Sequence, residues 1–149
     1  MIDLNDLKFV GNNLKRPECV LVDKEETLHV ADWRGGVTLI YKNGFQKTIL
    51  ANGNFKPKPN GIAIHPDGGW LITHLGDKDG GVYKLSLNGD LVPFLLEVHG
   101  QLLPPTNYVH IDNLGRVWVT VSTRLIPVSY THLRAHETSL HLVCRLLLE

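Results

Sequence analysis

Short runs of alternating apolar and polar residues recur along the chain, at Val20 and Val22, at Ile62 and Ile64, and at Val109 and Ile111. This is the period-two pattern of a half-buried β-strand. A turn rich in Asp, Asn and Gly follows each run, and then a second strand built on Leu28 and Val30, on Leu71 and Ile72, or on Val117 and Val119. Two further stretches, GGVTLIYKNG from Gly35 and GGVYKLSLNG from Gly80, share five of ten residues at an offset of 45 (80 − 35). Both close on Asn-Gly after an alternating run, which predicts a tight type I′ hairpin with positive φ at both central positions. The chain then turns back into FQKTIL or DLVPFLL, and Pro93 in the second return strand, lacking a ladder donor, predicts an outer edge. Glu18, Asn60 and Asn107 head the three copies at offsets of 42 (60 − 18) and 47 (107 − 60).

Four short strands in about 45 residues is the repeat of a propeller blade. Closure needs about four to eight blades, and the first 127 residues supply fewer than three. The expected fold class is therefore all-β, an open arc of a β-propeller over residues 1–127. The composition changes beyond that point: all 14 Gly and all 8 Pro lie at or before Pro127. Residues 128–149 instead place Leu133, Leu140, Val143 and Leu147 at helical spacing. They are expected to form a helical tail outside the domain.

Charge narrows the partners. Fifteen basic and fifteen acidic residues give a formal net charge of zero, without the basic footprint of nucleic-acid or anionic-membrane binding. Two distant cysteines, Cys19 and Cys144, cannot build a disulfide framework or a four-thiolate zinc site. Asp3 and Asp6 stand where a signal peptide needs basic residues, and no apolar stretch approaches the roughly 20 residues of a membrane span. These features predict a cytoplasmic chain with no nucleic acid or membrane partner, and they leave the oligomeric state open.

In a propeller the equivalent ends of the inner strands converge on one mouth of the channel. Glu18, Asn60 and Asn107 would place a carboxylate and two amides there, hard oxygen donors suited to calcium, magnesium or manganese. A divalent ion at that mouth could support metal-assisted hydrolysis. The same residue types also occur as a solvated Glu and as turn-forming Asn side chains. A non-catalytic binding propeller therefore stands as the alternative reading.

The strings RPECVL, ADWRGGVT, KPNGIAIHPDG, HLGDKDGGVYKL and LPPTNYVHIDNLGRVWVTVSTR, spread over nearly all of residues 14–127, resemble the senescence marker protein, gluconolactonase and luciferin-regenerating enzyme family of six-bladed propellers. The resemblance implies a divalent-metal-dependent hydrolase of small-molecule lactones or related esters. Calcium is the first expectation for the ion, with zinc, manganese and magnesium open. Carried over, the family's early metal-binding Glu falls on Glu18. Its Asn before the Gly-Arg-x-Trp strand falls on Asn107, as metal ligand or substrate contact, and Asn60 has positional equivalence as a substrate contact. The family's later Asn and Asp ligands belong to blades outside this chain, so no general base is assigned and the chain alone is expected to be inactive.

The remaining motifs carry less. His132, His136 and His141 include one pair at the helical zinc spacing. They lie in a tail that, from about Ser129, resembles a conceptual translation of sequencing adapter. Cys19, beside Glu18, should point to the opposite strand face and be buried as a small apolar residue. Asp77, Asp79 and Gly80 lack the terminal Glu of a calcium loop.

Overall fold

The computed structural model describes residues 5 and 7–122. The first blade is a four-stranded antiparallel sheet of β1 (Val20–Val22), β2 (Leu28–Asp32), β3 (Gly36–Ile40) and β4 (Gln46–Leu50), in that spatial order. The second repeats it with β5 (Ile62–Ile64), β6 (Trp70–Thr73), β7 (Val82–Leu85) and β8 (Leu91–Leu95). A two-stranded ribbon, β9 (Glu97–Val98) and β10 (Gln101–Leu102), precedes the inner pair of a third blade, β11 (Thr106–Ile111) and β12 (Val117–Val121). The expected open all-β arc is what the described residues form. The expected helical tail lies outside them, with His132, His136 and His141. No helix among the described residues is long and apolar enough to cross a membrane.

Pro93 sits opposite Tyr83 on β8, the outer edge of its blade. The Asn-Gly hairpins differ from the type I′ expectation. Gly44 and Gly89 have φ of 83° and 88°, but Asn43 and Asn88 keep negative φ. The reason is loop length. Ile40 pairs with Gln46, and the Gly44 amide donates to the Tyr41 carbonyl. The four-residue turn Tyr41–Gly44 therefore needs left-handed backbone only at its last position. The two-residue loop with both φ positive occurs instead at His99 (51°) and Gly100 (73°), between β9 and β10.

The blades stack face to face, and the cores lie between them. Ala31, Val37 and Ile49 of the first blade meet Ile62, Trp70, Ile72 and Leu85 of the second, with Cys19 among them as expected. Leu71, Val82 and Ala63 meet Val109, Val117 and Val119 on the other side. Alternation along β6 thus divides residues between two cores rather than between core and water, and all four of its residues are buried. The Trp70 indole Nε1 donates to His29 Nδ1 at 2.8 Å across the first interface.

The inner strands β1, β5 and β11 line an open depression of about 450 Å³. Val20, Val22, Ile64 and Tyr108 face it, which accounts for their exposure despite their apolar character. In an antiparallel blade the turns between strands one and two and between strands three and four lie at the same end. The entry to each inner strand and the turn between strands two and three lie at the other. Glu18, Asn60, Asn107, the turn Asp32–Gly35 and His74 therefore share one face.

Candidate functional site

Backbone hydrogen bonds establish which strand heads correspond. The Ala31 amide donates to the Cys19 carbonyl, and the Thr73 amide to the Gly61 carbonyl. Glu18 and Asn60, one residue earlier, occupy the same place in consecutive blades. Asn107 heads the third inner strand at an irregularity: Thr106 pairs with Val121 but Tyr108 with Thr120, leaving Asn107 as the extra residue of a β-bulge. Bulges re-aim a side chain out of the regular alternation.

The bulge puts two of the three candidate residues in direct contact. Asn60 Nδ2 donates to Asn107 Oδ1 at 2.7 Å and to the Asn107 carbonyl at 3.2 Å. Both partners are acceptors, which fixes the orientation of the Asn60 amide. Buried Thr73 completes the knot. Its Oγ1 accepts from the Gly61 amide at 2.8 Å and lies 3.2 Å from the carbonyls of Gly61 and Asn107, to either of which it can donate. Gly61 makes the approach possible, since a Cβ there would stand 2.6 Å from Tyr108 Cα and 3.0 Å from the Asn107 carbonyl oxygen. Backbone must move to admit it. Gly61→Ala is expected to cost about 1–3 kcal/mol by overpacking and to separate Asn60 from Asn107. Chemical denaturation and the side-chain amide resonances of the two asparagines would check both effects; an unchanged midpoint would contradict the close approach.

Glu18 shares no hydrogen bond with the asparagine pair. Its Oε1 accepts from Arg16 Nε at 2.5 Å, with both side chains partly exposed. The Arg16 guanidinium lies 3.7 Å from the centroid of the Trp33 ring, with Lys58 Nζ at 5.8 Å. Beside Trp33, fully buried Asp32 anchors the turn, accepting from Arg34 Nε at 2.9 Å, Arg34 Nη2 at 2.6 Å, the Arg34 amide at 3.0 Å and Thr38 Oγ1 at 3.2 Å. Burial alone would raise the Asp32 pKa. The Arg34 side chain and amide, with the Lys15 amide, outweigh it and hold the carboxyl below the usual range.

His74 directly follows β6, at the position that Asp32 holds at the end of β2. Its Nδ1 accepts from the Lys58 amide at 2.9 Å, and Nε2 lies 3.4 Å from Asp79 Oδ2. Burial pushes the imidazole below its ordinary pKa against the pull of Asp79. This pair closes the long loop between β6 and β7. Neither the bulge at Asn107 nor the clasp of Arg16 on Glu18 was foreseen from the sequence. The unequal repeat offsets were the one signal that the strand heads are not identical.

The donors at this mouth fit a hard divalent cation in kind. Glu18 retains Oε2, and Asn107 Oδ1 retains a lone pair beside its bond to Asn60. In number, two protein oxygens fall short of the six to eight that calcium takes. No group of three or more His, Cys, Asp and Glu residues that could hold a metal comes together among the described residues.

Four-stranded antiparallel sheets packed face to face, with their inner strands around a shared axis, define an arc of a β-propeller. Comparison with solved structures supports that fold. The chain is similar to a catalytically inactive virginiamycin B lyase from Staphylococcus aureus with quinupristin, at TM-score 0.54 and 16% identity, over 74% of this chain and 36% of that one. It is similar to a structural-genomics protein provisionally described as a gluconolactonase, at TM-score 0.51 and 21% identity, over 76% and 44%. A gluconolactonase from Xanthomonas campestris, important in glucose secondary metabolic pathways, matches at TM-score 0.54 and 17% identity, over 65% and 31%. The chain thus spans less than half the length of each. No family model matches it, and no curated protein is significantly similar.

Proposed function

We propose that this chain carries part of the active site of a divalent-cation-dependent hydrolase of lactones or related esters. On this reading it belongs with the gluconolactonase-type propellers of six blades. The observation that carries the proposal is the locked Asn60–Asn107 pair, set by a bulge at the same mouth as Glu18. Two gluconolactonase-type neighbours share the fold.

Glu18 would supply negative charge to the ion and Asn107 Oδ1 a neutral oxygen. Calcium is the first choice because both donors are hard. Asn60 acts behind Asn107, since its Nδ2 is spent on holding that side chain; its Oδ1 is left to accept from a substrate hydroxyl. When bound, the ion supplies Lewis-acid polarisation of the ester carbonyl. With two donors, the chain alone is expected to show no lactone turnover.

Calcium should nevertheless raise the stability of the chain, by about 2.7 kcal/mol at a hundredfold excess over Kd. Glu18→Gln should remove that stabilisation without lowering the stability measured in chelator. Thermal unfolding with and without calcium reads both. Undiminished stabilisation of the Gln variant would remove Glu18 from the site, and a chain indifferent to calcium would favour the non-catalytic binding propeller.

A further inference from the structure

We infer that His74 is a protonation-controlled clasp: uncharged, its ring anchors the segment that leads to Asn60, and on taking up a proton it releases that segment and loosens the Asn60–Asn107 pair. The clasp sets the shape of the mouth, whatever the mouth binds.

His74 joins three stretches of chain. Its amide donates to the Gly81 carbonyl, its carbonyl accepts from the Thr106 amide next to Asn107, and the adjacent Leu75 amide donates to the Lys58 carbonyl. His74 is 5% exposed. Its ring stands nearly perpendicular to those of Phe55 and Tyr83, at centroid distances of 5.3 and 6.3 Å.

The contacts of the ring define its state. Nδ1 faces the Lys58 amide at 2.9 Å, and an amide N–H only donates. Nδ1 is therefore bare, and the neutral ring carries its hydrogen on Nε2, 3.4 Å from Asp79 Oδ2. A Cβ at Gly76 would lie 2.3 Å from Asp79 Oδ1 and 2.7 Å from His74 Nε2, so glycine there lets the two side chains meet. A second proton on the ring would set N–H against N–H at Lys58, and the amide would lose its acceptor. Little is gained at Nε2 in return, because the Asp79 side chain is 72% exposed and its charge is screened by water.

The titratable groups that face the ring are Asp79 and Asp77 from the loop between β6 and β7, Lys58 from the connector, and Tyr83 from β7. Burial disfavours the charged imidazole and Lys58 adds to it, outweighing the pull of Asp79 and Asp77 and holding the pKa below its ordinary value of 6.5. The Tyr83 phenol, raised by burial, stays uncharged. The clasp is therefore complete above about pH 6.5 and is lost as pH falls through the lower folded value. Release reaches the mouth through Pro59, which alone separates Lys58 from Asn60. Pro59 has no amide to anchor, and its ring restricts the backbone. A shift of Lys58 therefore passes to Asn60, whose Nδ2 holds Asn107 Oδ1 at 2.7 Å. The bond from the Leu75 amide to the Lys58 carbonyl remains, which makes the movement a local hinge and leaves the blade folded.

The test follows the full chain by NMR from about pH 7.5 to about pH 5, above the range in which the lowered carboxyls of Asp23, Asp32 and Asp112 titrate. Ring nitrogen resonances should show the Nε2–H tautomer of His74 at the upper end. As His74 titrates, the protection factor of the Lys58 amide, corrected for the intrinsic pH dependence of exchange, should fall about three- to tenfold, the effect of one lost hydrogen bond. The side-chain amide resonances of Asn60 and Asn107 should shift over the same range. Asp79→Asn, a change at an exposed carboxylate, should move this transition to lower pH, which a purely structural His74 would not produce. His74→Asn offers an acceptor that does not titrate; it should keep Lys58 protected throughout and serves as the subtraction for the other histidines. Should that variant fail to fold, the parent and Asp79→Asn chains decide alone. A constant Lys58 protection factor while His74 titrates, a transition unmoved in Asp79→Asn, or one that persists in His74→Asn overturns the clasp. Loss of Lys58 protection with unmoved Asn60 and Asn107 resonances overturns its reach to the mouth.

Discussion

Trp70→Ala is expected to lower stability by about 3–5 kcal/mol, the range for truncating a large buried aromatic. Trp70 is 1% exposed and packs between the first two blades against Val37, Ile49 and Ile62. It also satisfies His29, whose Nδ1 accepts from the indole at 2.8 Å while Nε2 lies 2.9 Å from Asp23 Oδ2. Truncation therefore opens a cavity and strands a buried acceptor together. Trp70→Phe separates the two, since it keeps most of the ring and loses the N–H. It should cost about 1–3 kcal/mol, the penalty of an unsatisfied buried polar group. Against a whole-domain stability of about 5–15 kcal/mol, the Ala variant should shift the urea midpoint severely. A loss below about 1 kcal/mol would mean that the blades do not depend on this interface.

The second large effect is at Asp32. Asp32→Ala removes the acceptor of the Arg34 fork, the Arg34 amide and Thr38 Oγ1. We expect a loss of about 2–4 kcal/mol, toward the lower part of the range for broken buried pairs because exposed Arg34 can turn to water. The pH dependence follows from the direction of the shift. The folded pKa lies below the unfolded value of about 3.9. The stabilisation is therefore complete above the unfolded value and is lost as pH falls through the folded one. Asp23, held low chiefly by its hydrogen bond to His29, and Asp112, held low chiefly by Trp118, act in the same sense. Asp32→Asn should accordingly flatten the acid limb without abolishing it. Melting temperatures at pH 5 and pH 3 for both chains would show this; an equal drop in the two would exclude Asp32 as a contributor.

Much of the fold was legible because it repeats. Three copies of an alternating run, each with a turn and a second strand, gave the blades, and Pro93 gave the outer edge. Turn type was less legible. Asn-Gly permits left-handed backbone at both positions, but the pairing of Ile40 with Gln46 demands it only at Gly44. The β9–β10 ribbon went unread because its strands are two residues each. At the site, the sequence marked Glu18, Asn60 and Asn107 as equivalent heads. It could not show that a one-residue bulge turns Asn107 toward Asn60, because register depends on the pairing partner. Nor could it show Arg16 over Trp33, a contact between segments joined only by tertiary packing.

The pairing order carries a kinetic consequence. Each four-stranded sheet joins strands that are neighbours in sequence, so every ladder closes between consecutive strands and can form locally on the order of microseconds. The contacts between blades are of another kind: Trp70 reaches His29 across 41 residues, and Asn60 reaches Asn107 across 47. Closing such distances is slow relative to hairpin formation. Preformed blades docking late would assemble the Asn60–Asn107 pair in the same step that buries the second core, and the mouth of the channel would be among the last parts of the molecule to exist.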